Sequence, residues 1–164
     1  MKALKLTALI CIMLILSCGG KDEKKKEKIK LPTKTEKKAD KIADKTPASK
    51  TIDLDNKGIG PIKSLTLPSE IDQAMATKGA DVFKKLCTAC HRADKKFIGP
   101  APNGILERRS PEWVMNMILN PEEMTQKDPL AKALLIEFNG SPMANQNLTE
   151  EEARAVLEYF RTLK

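Results

Sequence analysis

The chain has 164 residues, of which 41% are hydrophobic, 31% charged and 4% aromatic, with a formal net charge of +7. That length allows one domain, or one small domain with appendages, and a single long apolar run excludes a multipass membrane protein. Residues 1–17 hold two basic and no acidic side chains, residues 18–68 fourteen and eight, and residues 69–164 thirteen and fourteen, so the basic excess lies ahead of the folding part and gives no footing for nucleic-acid binding.

Lys2 and Lys5 precede the apolar stretch Leu6–Leu16. The run is too short to span a bilayer comfortably and has the charged-then-apolar layout of an export signal. It ends in Ile15-Leu16-Ser17-Cys18-Gly19-Gly20. An apolar residue, a small residue and then Cys, directly after such a run, resembles a bacterial lipobox. That resemblance implies a lipoprotein signal peptide over 1–17, cleavage before Cys18, and lipidation of Cys18 through its sulfur and amine. An uncut signal anchor with an incidental Cys is the alternative. Cys11 lies inside the apolar run and leaves with it on cleavage. Each buried acyl CH₂ contributes about 0.8 kcal/mol, so several chains on one residue hold firmly.

Residues 18–68 are Lys-rich, poor in large apolar side chains and free of aromatics. Such a stretch buries too little apolar surface to offset its ordering entropy, and a disordered, lipid-anchored linker is expected. As a flexible chain it spans roughly 40 Å r.m.s.. A solvated spacer is favoured over electrostatic adhesion to anionic lipid, because acids are interspersed among the lysines. Lys21-Asp22-Glu23 bears a weak likeness to a surface-export signal of some lipoproteins.

Residues 69–164 carry apolar side chains at helical spacing and no strand pattern. Ser69 is the expected cap of a first helix reaching about Leu86. Ser110-Pro111-Glu112 opens a helix Pro111–Leu119, which stops before Pro121. Asp128-Pro129 opens another, Leu130–Phe138, closed by Asn139-Gly140. Thr149 and Glu152 form a capping box for a last helix from Glu150 to about Leu163. An all-α domain of about four short helices follows, with long loops at Arg92–Gly104 and Asn139–Leu148. Long structureless loops in a small domain usually serve a site.

Cys87-Thr88-Ala89-Cys90-His91 closes the first helix, and Cys-x-x-Cys-His reads as a haem c attachment site. Two thiols three positions apart on one turn reach the two vinyl groups of haem, and the following His meets one face of the ring. A thioredoxin-like pair wants a preceding strand. A zinc site wants a fourth ligand, and none remains in the mature domain. A disulfide across two residues closes almost no loop. His91 is the single His of the chain, so a second His cannot hold the sixth position of one covalent haem. Met, a rarer side chain or nothing must. Met75, Met115 and Met117 lie on helices and read as core, the latter two within reach of a haem edge. Met124 is flanked by polar residues. Met143, in the loop Asn139-Gly140-Ser141-Pro142-Met143-Ala144-Asn145, is well suited to project a thioether inward.

With these motifs the domain resembles a small class I, mono-haem cytochrome c over nearly all of residues 75–164. The resemblance implies that fold around one covalently bound haem c, His91 and Met143 as axial ligands, and the Pro100 carbonyl of Gly99-Pro100 as acceptor for the His91 ring N–H. It also implies that the terminal helices cross at Gly79 and Phe83 against Val156 and Tyr159. Ala101-Pro102-Asn103-Gly104 departs from the family, which often has a Leu two residues after that Pro. The middle of the domain holds no Tyr, so the partners of the haem propionates cannot be copied across. Arg108, Arg109 and Trp113 are the candidates by donor chemistry, with solvated arginines and a simply packed Trp113 left open.

His/Met ligation fills both axial positions and raises the reduction potential, so one-electron transfer is the expected task rather than catalysis. The expected partners are redox proteins, with a respiratory complex as donor and a terminal reductase or oxidase as acceptor. Glu112–Asn145 is loosely similar to cytochromes associated with nitrous oxide reductase. The expected place is the periplasmic side of a membrane, held by the lipid, with the cell surface as the other option. A haem-based gas or redox sensor, or a haem enzyme with an open sixth position, is the alternative.

Overall fold

A computed structural model describes residues 46–164, so the expected signal peptide, Cys18 and the linker as far as residue 45 lie outside the described residues. These residues form five α-helices: α1 (Gln73–Leu86), α2 (Pro111–Leu119), α3 (Pro121–Lys127), α4 (Pro129–Glu137) and α5 (Glu150–Thr162). A single 3-10 turn, Ile105–Glu107, precedes α2. The described residues contain no strand beyond one isolated bridge between Asp53 and Arg109, and no helix among them is long and apolar enough to cross a membrane.

Most helix starts follow local chemistry. Ser110 accepts the Trp113 N–H, Asp128 accepts that of Ala131, and Thr149 and Glu152 form the reciprocal capping box. Each satisfies backbone donors that the first helical turn leaves over. The first helix starts later than expected. Asp72, not Ser69, caps it by accepting the Met75 N–H at 2.9 Å. The buried Glu158 carboxylate receives the Asp72 N–H at 2.9 Å, which pins the chain at Asp72 before the helix can begin. The fifth helix, α3, was not expected. Pro121 ends α2 and also occupies the first turn of α3, where its missing N–H costs nothing.

The domain is built on the crossing of α1 and α5. A Cβ placed on Gly79 would lie 1.9 Å from the Ala155 carbonyl oxygen, so only glycine allows this approach. Phe83 then packs against Tyr159 and Phe160, with ring centroids 5.5 and 5.7 Å away. Trp113, Val114, Met115 and Ile118 of α2 join Val156 and Leu157 of α5 in the core. Glu158 is wholly buried, with Arg154 and Arg161 at 2.5 and 2.6 Å. Burial alone would raise its carboxyl, but the Asp72 N–H and the two arginines outweigh that and hold it below the usual range.

The expected linker boundary at residue 68 is corrected. Residues 46–68 form an arm laid along the helical domain. Arg109 donates to the Ala48 and Thr51 carbonyls, and Ser49 donates its N–H and hydroxyl to Glu137. Asn116 receives the Ile62 N–H and donates to the Lys57 and Ile62 carbonyls. Glu112 takes Lys57 at 2.5 Å and the Leu65 N–H at 3.1 Å. Ile59, Ile62, Leu65 and Leu67 add apolar contact. Buried polar side chains of the domain therefore satisfy the arm's backbone, a source of order that its composition does not display.

Candidate functional site

The motif residues sit where α1 unwinds. Cys87 caps the helix, donating its N–H to Phe83, and the N–H groups of Cys90 and His91 both turn back to the Cys87 carbonyl at 3.1 and 2.9 Å. That tight turn presents both sulfurs and the imidazole from one short segment. Arg92 braces it, donating to the Thr88 and His91 carbonyls. Cys87 is partly buried and Cys90 exposed. Burial, and then the neighbouring Cys90, push the Cys87 thiol up to about 11. A lowered thiol pKa is what marks a reactive cysteine, and Cys87 is shifted the other way.

His91 is fixed on two sides. Its Nδ1 lies 2.8 Å from the Pro100 carbonyl oxygen. A carbonyl only accepts, so Nδ1 carries the proton and the Nε2 lone pair is left free to ligate. A Cβ on Gly99 would come within 2.5 Å of the ring at Cε1, so the backbone at Gly99 packs directly against the imidazole. The Gly99 N–H donates to the Cys90 carbonyl at 2.8 Å, tying this wall to the motif.

Two hollows meet at these residues. Both are lined by His91, Pro100, Met117 and Met143; one also reaches Cys90 and the other Cys87. The remaining walls are mostly apolar. The first adds Trp113 with Leu134, Leu135 and Phe138 from α4 and its end; the second adds Phe83, Val114, Ile118 and Val156. One thiol on each side and an imidazole and a thioether on the shared boundary fit a flat tetrapyrrole with a central iron, and the apolar walls suit its faces.

The sequence-derived residues divide as follows. Cys87, Cys90, His91, Pro100 and Met143 come together. Met117 joins them as a wall. Met115 is in the core, and Met124 is fully buried with its sulfur 2.9 Å from the Ile59 nitrogen, outside both hollows. Trp113 lines the first hollow, but its indole N–H donates to the Asp128 carboxylate at 3.2 Å, so it packs there and is not free to bond a haem propionate. Arg109 lines neither hollow. It is buried, lies over the Trp113 ring, and spends both terminal nitrogens on backbone carbonyls. This corrects its expected role at the cofactor: its hydrogen bonds hold the arm. Arg108 donates to the Asn103 carbonyl at 3.0 Å and is outside both hollows as well. The walls from Leu134, Leu135 and Phe138 were legible as an apolar helix, but nothing local told which way that helix faces.

The cytochrome c family profile matches residues 76–164. A solved cytochrome c from Rhodothermus marinus is similar at a TM-score of 0.61 and 43% identity, over 71% of this chain and 92% of that one. A cytochrome c2 of Rhodopseudomonas palustris is 29% identical over 113 residues, 54% of this chain and 98% of its own length. Another cytochrome c2 of the same organism is 51% identical over 35 residues, so the chain spans only 30% of that relative's length.

Proposed function

Since the chain belongs to the cytochrome c family, with one covalently attached haem c and haem-based electron transfer, we propose that it is a membrane-tethered one-electron carrier with His91 and Met143 as axial ligands. Bound haem c supplies an iron that alternates between ferrous and ferric states. Cys87 and Cys90 hold the cofactor through thioethers. Pro100 orients His91 and raises the basicity of Nε2 by accepting from Nδ1. Met143 would supply a second ligand from its loop, and the apolar walls would exclude water and help set the potential. Were His91 and Met143 both to bind the iron, an inner-sphere substrate would have no place to bind, which favours electron transfer over catalysis.

In this reading residues 1–17 are a signal peptide, Cys18 carries lipid, and residues 46–164 form the working unit. The anchor keeps that unit near membrane redox proteins and raises its effective concentration there. A respiratory complex is the proposed donor and a terminal reductase or oxidase the acceptor, on the periplasmic side. The observation that carries the ligation is the Nδ1–Pro100 hydrogen bond, which frees Nε2 on the boundary that His91 shares with Met143.

The test is the exported full chain and its Met143→Ala variant. Intact mass should show one haem and a lipidated terminus at Cys18. The variant should lose the low-spin thioether absorption and show a lower midpoint potential. A variant spectrum and potential identical to wild type would refute Met143 as ligand, and an unlipidated mature terminus would refute the anchor.

A further inference from the structure

The arm grips α2 from one end to the other. Just ahead of the helix, the Ser110 hydroxyl donates to the Asn56 carbonyl at 2.6 Å. Along the helix, Glu112 accepts the Leu65 N–H, and the wholly buried Asn116 amide bonds Lys57 and Ile62 at 2.8 to 2.9 Å. Just past it, the Asn120 amide reaches the Ile59 carbonyl at 3.4 Å. The arm is closely fitted to this seat: a Cβ on Gly60 would lie 2.4 Å from Asn116 Oδ1 and 2.8 Å from its Cγ.

Met117 follows Asn116 on the same helix, a step of about 100° around its axis, and lies on the boundary that His91 and Met143 share. A roll of α2 that Asn116 forbids would carry Met117 with it. The end of α2 also holds the Met143 loop. Ser141 still bonds back to the Phe138 carbonyl. From Pro142 to Leu148, among the described residues, one hydrogen bond alone leaves the loop: the Asn145 amide donates to the Leu119 carbonyl, at the last residue of α2, at 3.4 Å. A loop with so few ties opens easily, so what it leans against decides how firmly its Met is held.

We propose that α2 is the mount of the Met143 loop and that the arm sets that mount. Asn145 ties the loop to the helix end, Met117 backs the Met143 side chain, and Asn116 lets the arm fix the helix in place. Each acts through Met143, as a positioning residue. The inference rests on the ligation proposed above and adds to it that the arm governs how readily Met143 leaves the iron.

The test is the rate of cyanide binding to the ferric full-chain holoprotein, since cyanide can enter only where Met143 has let go. Asn145→Ala, on the exposed loop, and Gly60→Ala, on the arm, should each bind it roughly two- to tenfold faster than wild type, the range that one hydrogen bond spans. Haem content should stay full and the thioether absorption should weaken. Met117→Ala should behave in the same way. If Gly60→Ala does not fold, Asn120→Ala takes its place, freeing the helix end from the Ile59 carbonyl. A wild-type rate in any of these variants overturns the proposal. So does an equal acceleration from Asp72→Ala, which uncaps α1 and reads general loosening. A Met143→Ala chain no faster than wild type refutes the parent ligation, and this inference with it. A fast Met143→Ala beside slow loop and arm variants refutes this one alone.

Discussion

Replacing Gly79 by Ala sets two physical effects against each other. Within a helix, Ala is favoured over Gly by about 0.5–1 kcal/mol. Against that, the new methyl carbon would lie 1.9 Å from the Ala155 carbonyl oxygen, 2.4 Å from its carbon and 2.9 Å from the Val156 nitrogen. All three atoms are α5 backbone, so no side chain can rotate away, and the helices have to part by roughly 1 Å. Separation also loosens Phe83 from Tyr159 and Phe160. Overpacking of this kind costs about 1–3 kcal/mol or more, so a net loss of about 2 kcal/mol is expected, a fall in Tm of roughly 8–16 °C for a domain near 100 residues. Urea unfolding of the holoprotein followed by far-UV circular dichroism measures it. Gly140→Ala is the control: nothing lies within 4 Å of its Cβ, and only its φ of +71° resists substitution. A Gly79→Ala variant as stable as wild type would refute the close-crossing argument.

Arg109→Met removes the donors to the Ala48 and Thr51 carbonyls. At about 1.5–3 kcal/mol for a hydrogen bond from a charged group, the arm should loosen before the helices do, seen as faster proteolytic cleavage within residues 46–58 with α-helical content retained. Acid should act through Glu112 and Glu158. Burial tends to raise both carboxyls, but Lys57 and backbone N–H groups hold Glu112 low, and the Asp72 N–H and two arginines hold Glu158 low. Carboxyls lower in the folded than in the unfolded chain give stabilisation that is complete above the unfolded value and drains as pH falls toward the folded ones. Stability should therefore be level near neutrality and decline below about pH 4.5 by up to about 1.4 kcal/mol per pH unit for each group. Denaturant titrations of Glu112→Gln across pH 3–7 should show a shallower decline, and an unchanged slope would remove Glu112 from the account.

Local chemistry was legible in the sequence. Ser110, Asp128 and the Thr149–Glu152 pair announce their helices because a cap acts within three residues, and the Cys87–His91 spacing carries its chemistry within one turn. What stayed hidden depends on distant partners. Asp72 displaces Ser69 as cap because Glu158, far along the chain, holds the Asp72 N–H. The arm looked like a spacer because Arg109, Glu112, Asn116 and Glu137 satisfy its backbone from 47 to 88 positions away. Arg109 itself offered no local sign that its guanidinium would be spent on backbone carbonyls.

The docked arm also imposes an order of events. Synthesis delivers residues 46–68 ahead of their anchors on α2 and α4, and contacts of such long sequence separation form late. Until then Arg109, Glu112, Asn116 and Glu137 lack the arm groups they bond. The arm, made before every helix it rests on, is thus the piece that shuts last.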